Sequence, residues 1–326
     1  MALVLVTGAT GKIGRAVVLS LLSRGDSVRA VVRPGSRRAS VLPAKVQKFA
    51  WDLASGPLPK PAFSGVHNVV HLAGLVGDYP YRELVAQNAF GTKNLLENCP
   101  SHVKTVVLAS SVSVYGEYKG QEVDESFAPR CESAYGKSKL LAETFSREYS
   151  DIASIVILRF GMVFGPGFEE GYFPVLDYLA RGKMPLVGDG SNRIPLIHVD
   201  DAVRAILLSL DADTPRLREY NIVGEEKMTQ KQLLFLAARE LGARPPSKSI
   251  PAFVAKASAS AQALLSRLFL ARAPKISAFN IIQLSLDRAY SIKRAMRELG
   301  FNPATSLKNG IRQVVRLFRE GKGKER

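Results

Sequence analysis

The chain has 326 residues, 46% hydrophobic and 23% charged, an ordinary globular composition long enough for one large core and a smaller second one. Two cysteines, Cys99 and Cys131, exclude a disulfide framework or a cysteine metal cluster and point to a reducing cytoplasm. The net charge of +16 is concentrated late, with fifteen Lys/Arg against four Asp/Glu from residue 251 onward.

The first apolar run lacks a basic leader, and Gly8 ends it too early for a secretion signal. No stretch is apolar for long enough to span a bilayer. Continuous apolar runs predict strands at residues 2–6, 27–32, 46–49, 67–72, 103–109 and 153–158. Runs without period-two alternation are how strands buried on both faces of a parallel sheet read. Helical spacing lies between most of them, at 13–23, 82–98 and 133–149. The alternation predicts an α/β fold, a Rossmann-type doubly wound parallel sheet.

After residue 160 the pattern loosens. Gly165-Pro166-Gly167 is a turn; helices are predicted at 172–180 and 199–210, and a short strand at 220–223. Thr229 N-caps a helix over 230–241, which Gly242 and Pro245-Pro246 end. The last predicted helices cover 294–299 and 307–318. A basic ending of this kind suits nucleic acid, an anionic membrane or a solvated helical face. With no zinc finger, aromatic RNA-binding motif or heptad repeat, the solvated face is the simplest reading and no nucleic-acid partner is expected. The segment 253–272 mixes Ala, Leu and Phe with Lys256, Arg267 and Arg272, which leaves peripheral membrane contact open beside a core-packing role.

Thr7-Gly8-Ala9-Thr10-Gly11-Lys12-Ile13-Gly14 leaves the first strand and opens the first helix. Gly8 suits a tight turn, Gly11 close approach of the backbone to a pyrophosphate, and Gly14 packing of helix on sheet. Phosphates then meet the free N–H groups of the helix N-terminus. The pattern predicts a dinucleotide. The second strand ends at Arg33, with Arg37 and Arg38 close behind, where an NAD enzyme places a carboxylate for the ribose hydroxyl. Arginine suits a 2′-phosphate through paired, charge-assisted bonds, so NADP(H) is favoured and NAD(H) stays open.

Tyr135 and Lys139 stand at i and i+4 on one helical face. A neighbouring ammonium lowers the tyrosine pKa from about 10 toward a range useful for proton transfer. Ser111 lies at the end of the fifth strand, on the sheet edge where ligands bind, and can hold the reacting oxygen beside Tyr135. His71 and His198 read as packing and capping residues. Cys131 lies near Tyr135 but carries no assigned chemistry.

At this point the chain resembles the extended short-chain dehydrogenase/reductase family, also called NAD-dependent epimerase/dehydratase. The resemblance is carried by Thr7–Gly14, Asp52-Leu53, His71-Leu72-Ala73-Gly74, Asn88–Asn94, Ser110–Gly116, Tyr135–Lys139, Leu158–Pro166, Val187–Gly190 and His198–Asp201. It implies a catalytic set of Ser111, Tyr135 and Lys139, with Asn88 positioning the site. It places Gly8, Thr10, Gly11, Lys12, Ile13, Gly14, Leu72, Ala73 and Gly74 on the cofactor. Asp52 and Leu53 would lie beside the adenine, and Phe160, Gly161 and Val163 along the nicotinamide. It also implies a discontinuous cofactor domain, 1–161 with 191–223, and a mostly helical substrate domain, 162–190 with 224–326.

Departures narrow the branch. Sugar dehydratases of the family carry Thr-Asp-Glu where this chain has Ser111-Val112-Ser113. Nucleotide-sugar epimerases usually carry a diphosphate-gripping arginine four residues before position 198, where this chain has Ile194 with Arg193 one place off. The arginine-ended second strand and the 286–300 ending look like the 3β-hydroxysteroid dehydrogenase/dihydroflavonol reductase branch. That resemblance implies an oxidoreductase for a bulky, fairly apolar alcohol or ketone. The alternatives are a nucleotide-sugar 4-epimerase with tightly held NAD and a non-catalytic cofactor-sensing protein, which retention of both Tyr135 and Lys139 disfavours. The expected partners are a small-molecule substrate and, as an option, a second copy of the chain.

Overall fold

The computed structural model describes residues 1–56, 59–251, 253–255, 257 and 278–324. Seven parallel strands form its main sheet: β1 (Leu3–Thr7), β2 (Ser27–Val32), β3 (Gln47–Ala50), β4 (Asn68–His71), β5 (Thr105–Ser111), β7 (Ser154–Phe160) and β11 (Leu217–Ile222). Their spatial order is β11-β7-β5-β4-β1-β2-β3. The order reverses at β1, between β2 and β4, so a crevice opens there at the carboxyl ends of the strands.

Alternate residues of each strand feed different cores. Val4 and Val6 of β1 and Val156 and Leu158 of β7 join one apolar cluster; Leu5, Ile155 and Ile157 join another. Both faces of the sheet are therefore covered, which is why the strands read as unbroken apolar runs. Helix α1 (Lys12–Ser23) and helix α6 (Val199–Asp211) pack together, and Val17, Val18, Ala202 and Ile206 join the first cluster. Helix α3 (Gly91–Glu97), contributing Leu95 and Leu96 to the second cluster, packs against α4 (Ala134–Arg147).

A third cluster lies apart from the sheet. Phe164, the α5 residues Leu176 and Leu179 (Glu169–Ala180), the α7 residue Leu234 (Gln230–Leu241) and Leu307, Ile311, Val314 and Phe318 of the helix Leu307–Lys324 make it. Ile194 and Leu196 belong to this cluster, whereas Ile197 belongs to the first. Two short parallel strands, β8 (Met162–Phe164) and β10 (Leu196–His198), join the regions.

All seven predicted strands and all predicted helices are present; 27–32 and 230–241 keep their predicted bounds and the rest have shifted ends. β5 runs on to Ser111 and β7 to Phe160 because Ser110, Ser111 and Arg159 still pair in the ladder, although their polarity broke the apolar run. The helix predicted over 82–98 contains a π-helical turn, Val85–Phe90, between Tyr81–Leu84 and α3. Thr229 caps α7 in a full capping box with Gln232, and Gly242 ends that helix in the left-handed conformation.

Candidate active site

The loop between β1 and α1 is shaped by close approaches. Gly8 has φ +66°, and a Cβ there would lie 2.6 Å from the Ala73 nitrogen, in the turn that follows β4. A Cβ on Gly14 would lie 2.1 Å from the Gly8 oxygen, so the helix starts directly on the turn. Helix α1 has Gly11 at its N-cap and no side chain capping it. Its first N–H groups are left for an outside acceptor, the arrangement a pyrophosphate needs.

The other expected cofactor residues lie along the same edge. Thr10, Ile13, Leu72 and Ala73 are partly buried, and Gly74 is exposed. Arg33 directly follows β2; Arg37 and Arg38 open the turn Arg37–Val41, and all three are exposed. Asp52 follows β3 and accepts from the Ala54 nitrogen at 3.1 Å and from Gln87 Nε2 at 3.4 Å. Leu53 beside it is buried. Phe160 ends β7, Gly161 follows, and Val163 sits in β8 opposite Ile197. Lys12 is engaged elsewhere: its ammonium lies 2.8 Å from Glu170 of α5 and over the Phe168 ring.

The chemical residues converge from three elements. Ser133 N-caps α4, accepting from the Gly136 nitrogen at 2.9 Å. A Cβ on Gly136 would lie 2.4 Å from the Ser113 oxygen, so the first turn of α4 presses on the short turn Val112–Val114 that follows β5. The Tyr135 hydroxyl thereby reaches a hydrogen bond with Ser111. Ser111 Oγ also donates to Ser113 Oγ and accepts from the Ser113 nitrogen, both at 3.1 Å. One turn on, Lys139 Nζ donates to the Ala109 carbonyl at 2.6 Å. Asn88, wholly buried in the π turn, accepts from the Leu75 nitrogen at 2.7 Å and donates to the Leu75 oxygen and to Ser138 Oγ. A Cβ on Gly74 would meet Asn88 Oδ1 at 2.7 Å and Lys139 Nζ at 3.6 Å, so these groups border one spot.

The electrostatics correct one expectation. Burial pushes Tyr135 up to about 12, and the Ser111 bond relieves only part of that. Lys139 is committed to the Ala109 carbonyl, and desolvation outweighs what was expected of its charge. Burial lowers Lys139 itself to about 8, against the opposing field of Glu143. At neutral pH the pair is a phenol and an ammonium, fit to deliver a proton to a carbonyl oxygen.

His71 is held near 3 by burial and then by Lys139, and bonds Thr7 at 2.6 Å and Thr92 at 3.0 Å as a neutral packed residue. His198 caps α6 through the Asp200 nitrogen. Cys131 is partly buried, with its Cβ 3.1 Å from a Cβ built on Gly136. Ile194 is 1% exposed within the third cluster, and Arg193 is clamped on Asp287 through Nε at 2.8 Å and its terminal nitrogen at 2.7 Å. Sequence reasoning missed the buried set behind the site: Glu143, Arg159, Tyr115 and Asn221. Its visible signals were a carboxylate one turn beyond Lys139 and an arginine inside an apolar strand.

A glycine-opened dinucleotide crevice beside a serine–tyrosine–lysine set defines a nicotinamide-dependent enzyme of the short-chain dehydrogenase/reductase type. Residues 4–223 match the model of the NAD dependent epimerase/dehydratase family, and the chain belongs to that family. The chain is 28% identical over 324 residues to the 2-alkyl-3-oxoalkanoate reductase of Stenotrophomonas maltophilia (strain K279a), covering 95% of this chain and 98% of that one. It is 29% identical over 349 residues to UDP-glucuronate 4-epimerase 1 of Arabidopsis thaliana, covering 97% and 76%. Among solved structures, MoeE5 in complex with UDP-glucuronic acid and NAD matches with a TM-score of 0.76 and 27% identity, covering 98% of this chain and 99% of that one.

Proposed function

We propose that this enzyme is an oxidoreductase acting on the carbonyl or alcohol of a bulky, fairly apolar substrate, with NADP(H) preferred and NAD(H) usable. The carrying observation is the pair of positions where a sugar diphosphate would be gripped. Ile194 is buried in apolar packing, and Arg193 is neutralised by Asp287. The similar reductase is named for a branched oxo acid, a substrate of the proposed kind. The similarity to UDP-glucuronate 4-epimerase 1 and to MoeE5 keeps nucleotide-sugar 4-epimerisation as the second reading.

The nicotinamide, when bound, supplies or accepts the hydride. Gly8, Gly11 and the N-terminus of α1 would hold its pyrophosphate, and Phe160, Gly161 and Val163 its reactive end. Tyr135 delivers the proton to the substrate oxygen, while Ser111 orients that oxygen with its hydroxyl. Lys139, charged below about pH 8, favours the phenolate left after transfer. Asn88 fixes the Leu75 backbone at the border of the site.

Nicotinamide absorbance with a panel of 2-alkyl-3-oxo acids and bulky ketones tests the reading, beside calorimetry with UDP-galactose and UDP-glucuronic acid. Net NADPH consumption and no UDP-sugar binding are expected. Tight UDP-sugar binding with epimerisation and no net cofactor change would overturn it. For the cofactor, a charge-assisted bond from Arg33 to a 2′-phosphate is worth roughly 1.5–3 kcal/mol, or about ten- to a hundredfold in affinity. Arg33→Asp should weaken NADPH by that factor and spare NADH; equal dissociation constants in the native enzyme would remove Arg33 as the determinant.

The two-part organisation, 1–161 with 191–223 for the cofactor and 162–190 with 224–326 for the substrate, is kept as a proposal. A cytoplasmic location is proposed on the two free thiols. Self-association and peripheral membrane contact are open proposals. Of the 253–272 segment, Phe253 and Val254 are exposed, and residues 256 and 258–272 lie outside the described residues. Among the described residues no helix is long and apolar enough to cross a membrane.

A further inference from the structure

Behind the catalytic set lies a row of buried polar groups that the reaction itself does not use. Ser110 on β5, Arg159 on β7 and Asn221 on β11 are register partners across three adjacent strands. Glu143 reaches this row from α4. Its Oε1 accepts from Ser110 Oγ at 2.6 Å and Arg159 Nε at 3.0 Å, and its Oε2 accepts from Arg159 at 2.7 Å. Arg159 also donates to the Tyr115 hydroxyl at 2.7 Å, which donates to Asn221 Oδ1 at 3.0 Å. Glu143 is fully buried and Arg159 almost so.

A buried ion pair is a poor source of stability, since apolar residues of like volume do as well or better. Its geometry here is directed at the site. Glu143 sits one turn beyond Lys139 on the face that carries Tyr135. Its Ser110 bond fixes the residue between Ala109, which holds Lys139, and Ser111, which holds Tyr135.

We propose that Glu143 is a positioning residue for the reaction: it locks the Tyr135–Lys139 face of α4 onto the strand end bearing Ser111 and provides the counter-charge for the Lys139 ammonium. The inference rests on the Ser111–Tyr135–Lys139 reading above.

The groups around Lys139 single out Glu143 for this role. On its own helix they are Tyr135, Glu143 and Arg147. On β4 there is His71, which stays neutral. On β7 there is Arg159, committed to Glu143 and Tyr115, while Arg147 lies 2.6 Å from Glu219. The neighbouring helical turns carry Arg82, Glu83, Lys93 and Glu97, of which Lys93 lies 3.7 Å from Glu97. Among the described residues facing Lys139, Glu143 is therefore the buried anion. Burial lowers the Lys139 pKa, and Glu143 works in the opposite sense.

The experiment follows the pH dependence of reductive methylation at Lys139, read by peptide mass spectrometry on the full chain without substrate. In Glu143→Gln, and in Glu143→Gln/Arg159→Gln, which leaves no orphan charge, the Lys139 midpoint should fall by about one pH unit. Glu143→Asp should restore at least half of the shift. On a turned-over substrate the alkaline limb of kcat should move down by the same amount, with KM within a few-fold. Ser110→Ala should lower kcat several-fold without moving the Lys139 midpoint. A native midpoint in the double variant overturns the proposal. So does loss of the fold in that variant, which would assign the pair to stability alone. Failure to turn over any oxo acid overturns the functional reading and leaves the labelling result standing.

Discussion

Tyr135 shows how one residue's environment sets the direction of chemistry. Its ordinary pKa is near 10, and burial carries it to about 12, so in the proposed reaction it would start as the acid. Removing its hydroxyl leaves Ser111 still bonded to Ser113, so no buried donor is stranded. Tyr135→Phe should therefore fold normally, with stability within about 1 kcal/mol of native. Turnover should drop by about a hundred- to ten-thousandfold, the usual contribution of a general acid. Cofactor affinity should stay within a few-fold, and steady-state rates beside a cofactor titration check both. Lys139 adds a signed pH effect. Its folded pKa of about 8 lies below its ordinary 10.5, so the cost of burying its charge is relieved between pH 8 and 10.5, where stability rises. Activity that needs the ammonium should fall as pH rises through about 8, the folded value.

At the scale of elements, local spacing made the sheet and most helices legible, while polar residues inside strands blurred their ends. Ser110 and Arg159 broke the apolar runs of β5 and β7, yet they are the residues that meet Glu143 behind the site. The π turn that carries Asn88 leaves no trace in helical periodicity. The proposed catalytic residues Ser111, Tyr135 and Lys139 could be picked out because their spacing is local, one helical turn and one strand end. Contacts across 94 residues, such as Arg193 to Asp287, have no local signature. Asp287 accepts from the Arg193 backbone at 2.9 Å, from two guanidinium nitrogens and from the Gly120 nitrogen at 2.9 Å. It joins the loop after β5 to the 193 turn and to β13 (Ala289–Tyr290), which the sequence reading did not anticipate. The Arg193 bond holds its pKa down to about 2. Because that value lies below the unfolded 3.8, the contribution is present above about pH 4 and lost as pH falls toward 2. Asp287→Asn should cost about 1–3 kcal/mol at neutral pH. Denaturant midpoints at pH 7 and pH 3 check it, and the gap between native and variant should narrow at the lower pH.

Across the whole molecule the sheet and the third cluster meet at the mouth of the cofactor crevice. Lys12 opens α1, on the loop that would hold the pyrophosphate, and Glu170 stands in the first turn of α5. Their 2.8 Å ion pair spans that mouth and is solvent-exposed, with Glu170 more exposed than Lys12. Glu170 is held below the usual carboxylate range by its bond to Lys12, and the field of Arg38 acts in the same sense. A carboxylate so placed competes with an anionic cofactor for two cations. Glu170→Gln should release Lys12 and remove a negative charge whose field reaches Arg38. Exposed pairs are worth roughly 0.2–1 kcal/mol, so affinity for NADPH should rise by about 1.4- to fivefold. The gain for NADH should be smaller, because it lacks the 2′-phosphate that would sit near Arg33 and Arg38. Both gains should shrink as salt rises, since the charges are screened over about 10 Å at 0.1 M ionic strength. Dissociation constants for the two cofactors at low and high salt check the sign. Weaker NADPH binding in Glu170→Gln would instead show that the pair closes over the bound cofactor and helps to retain it.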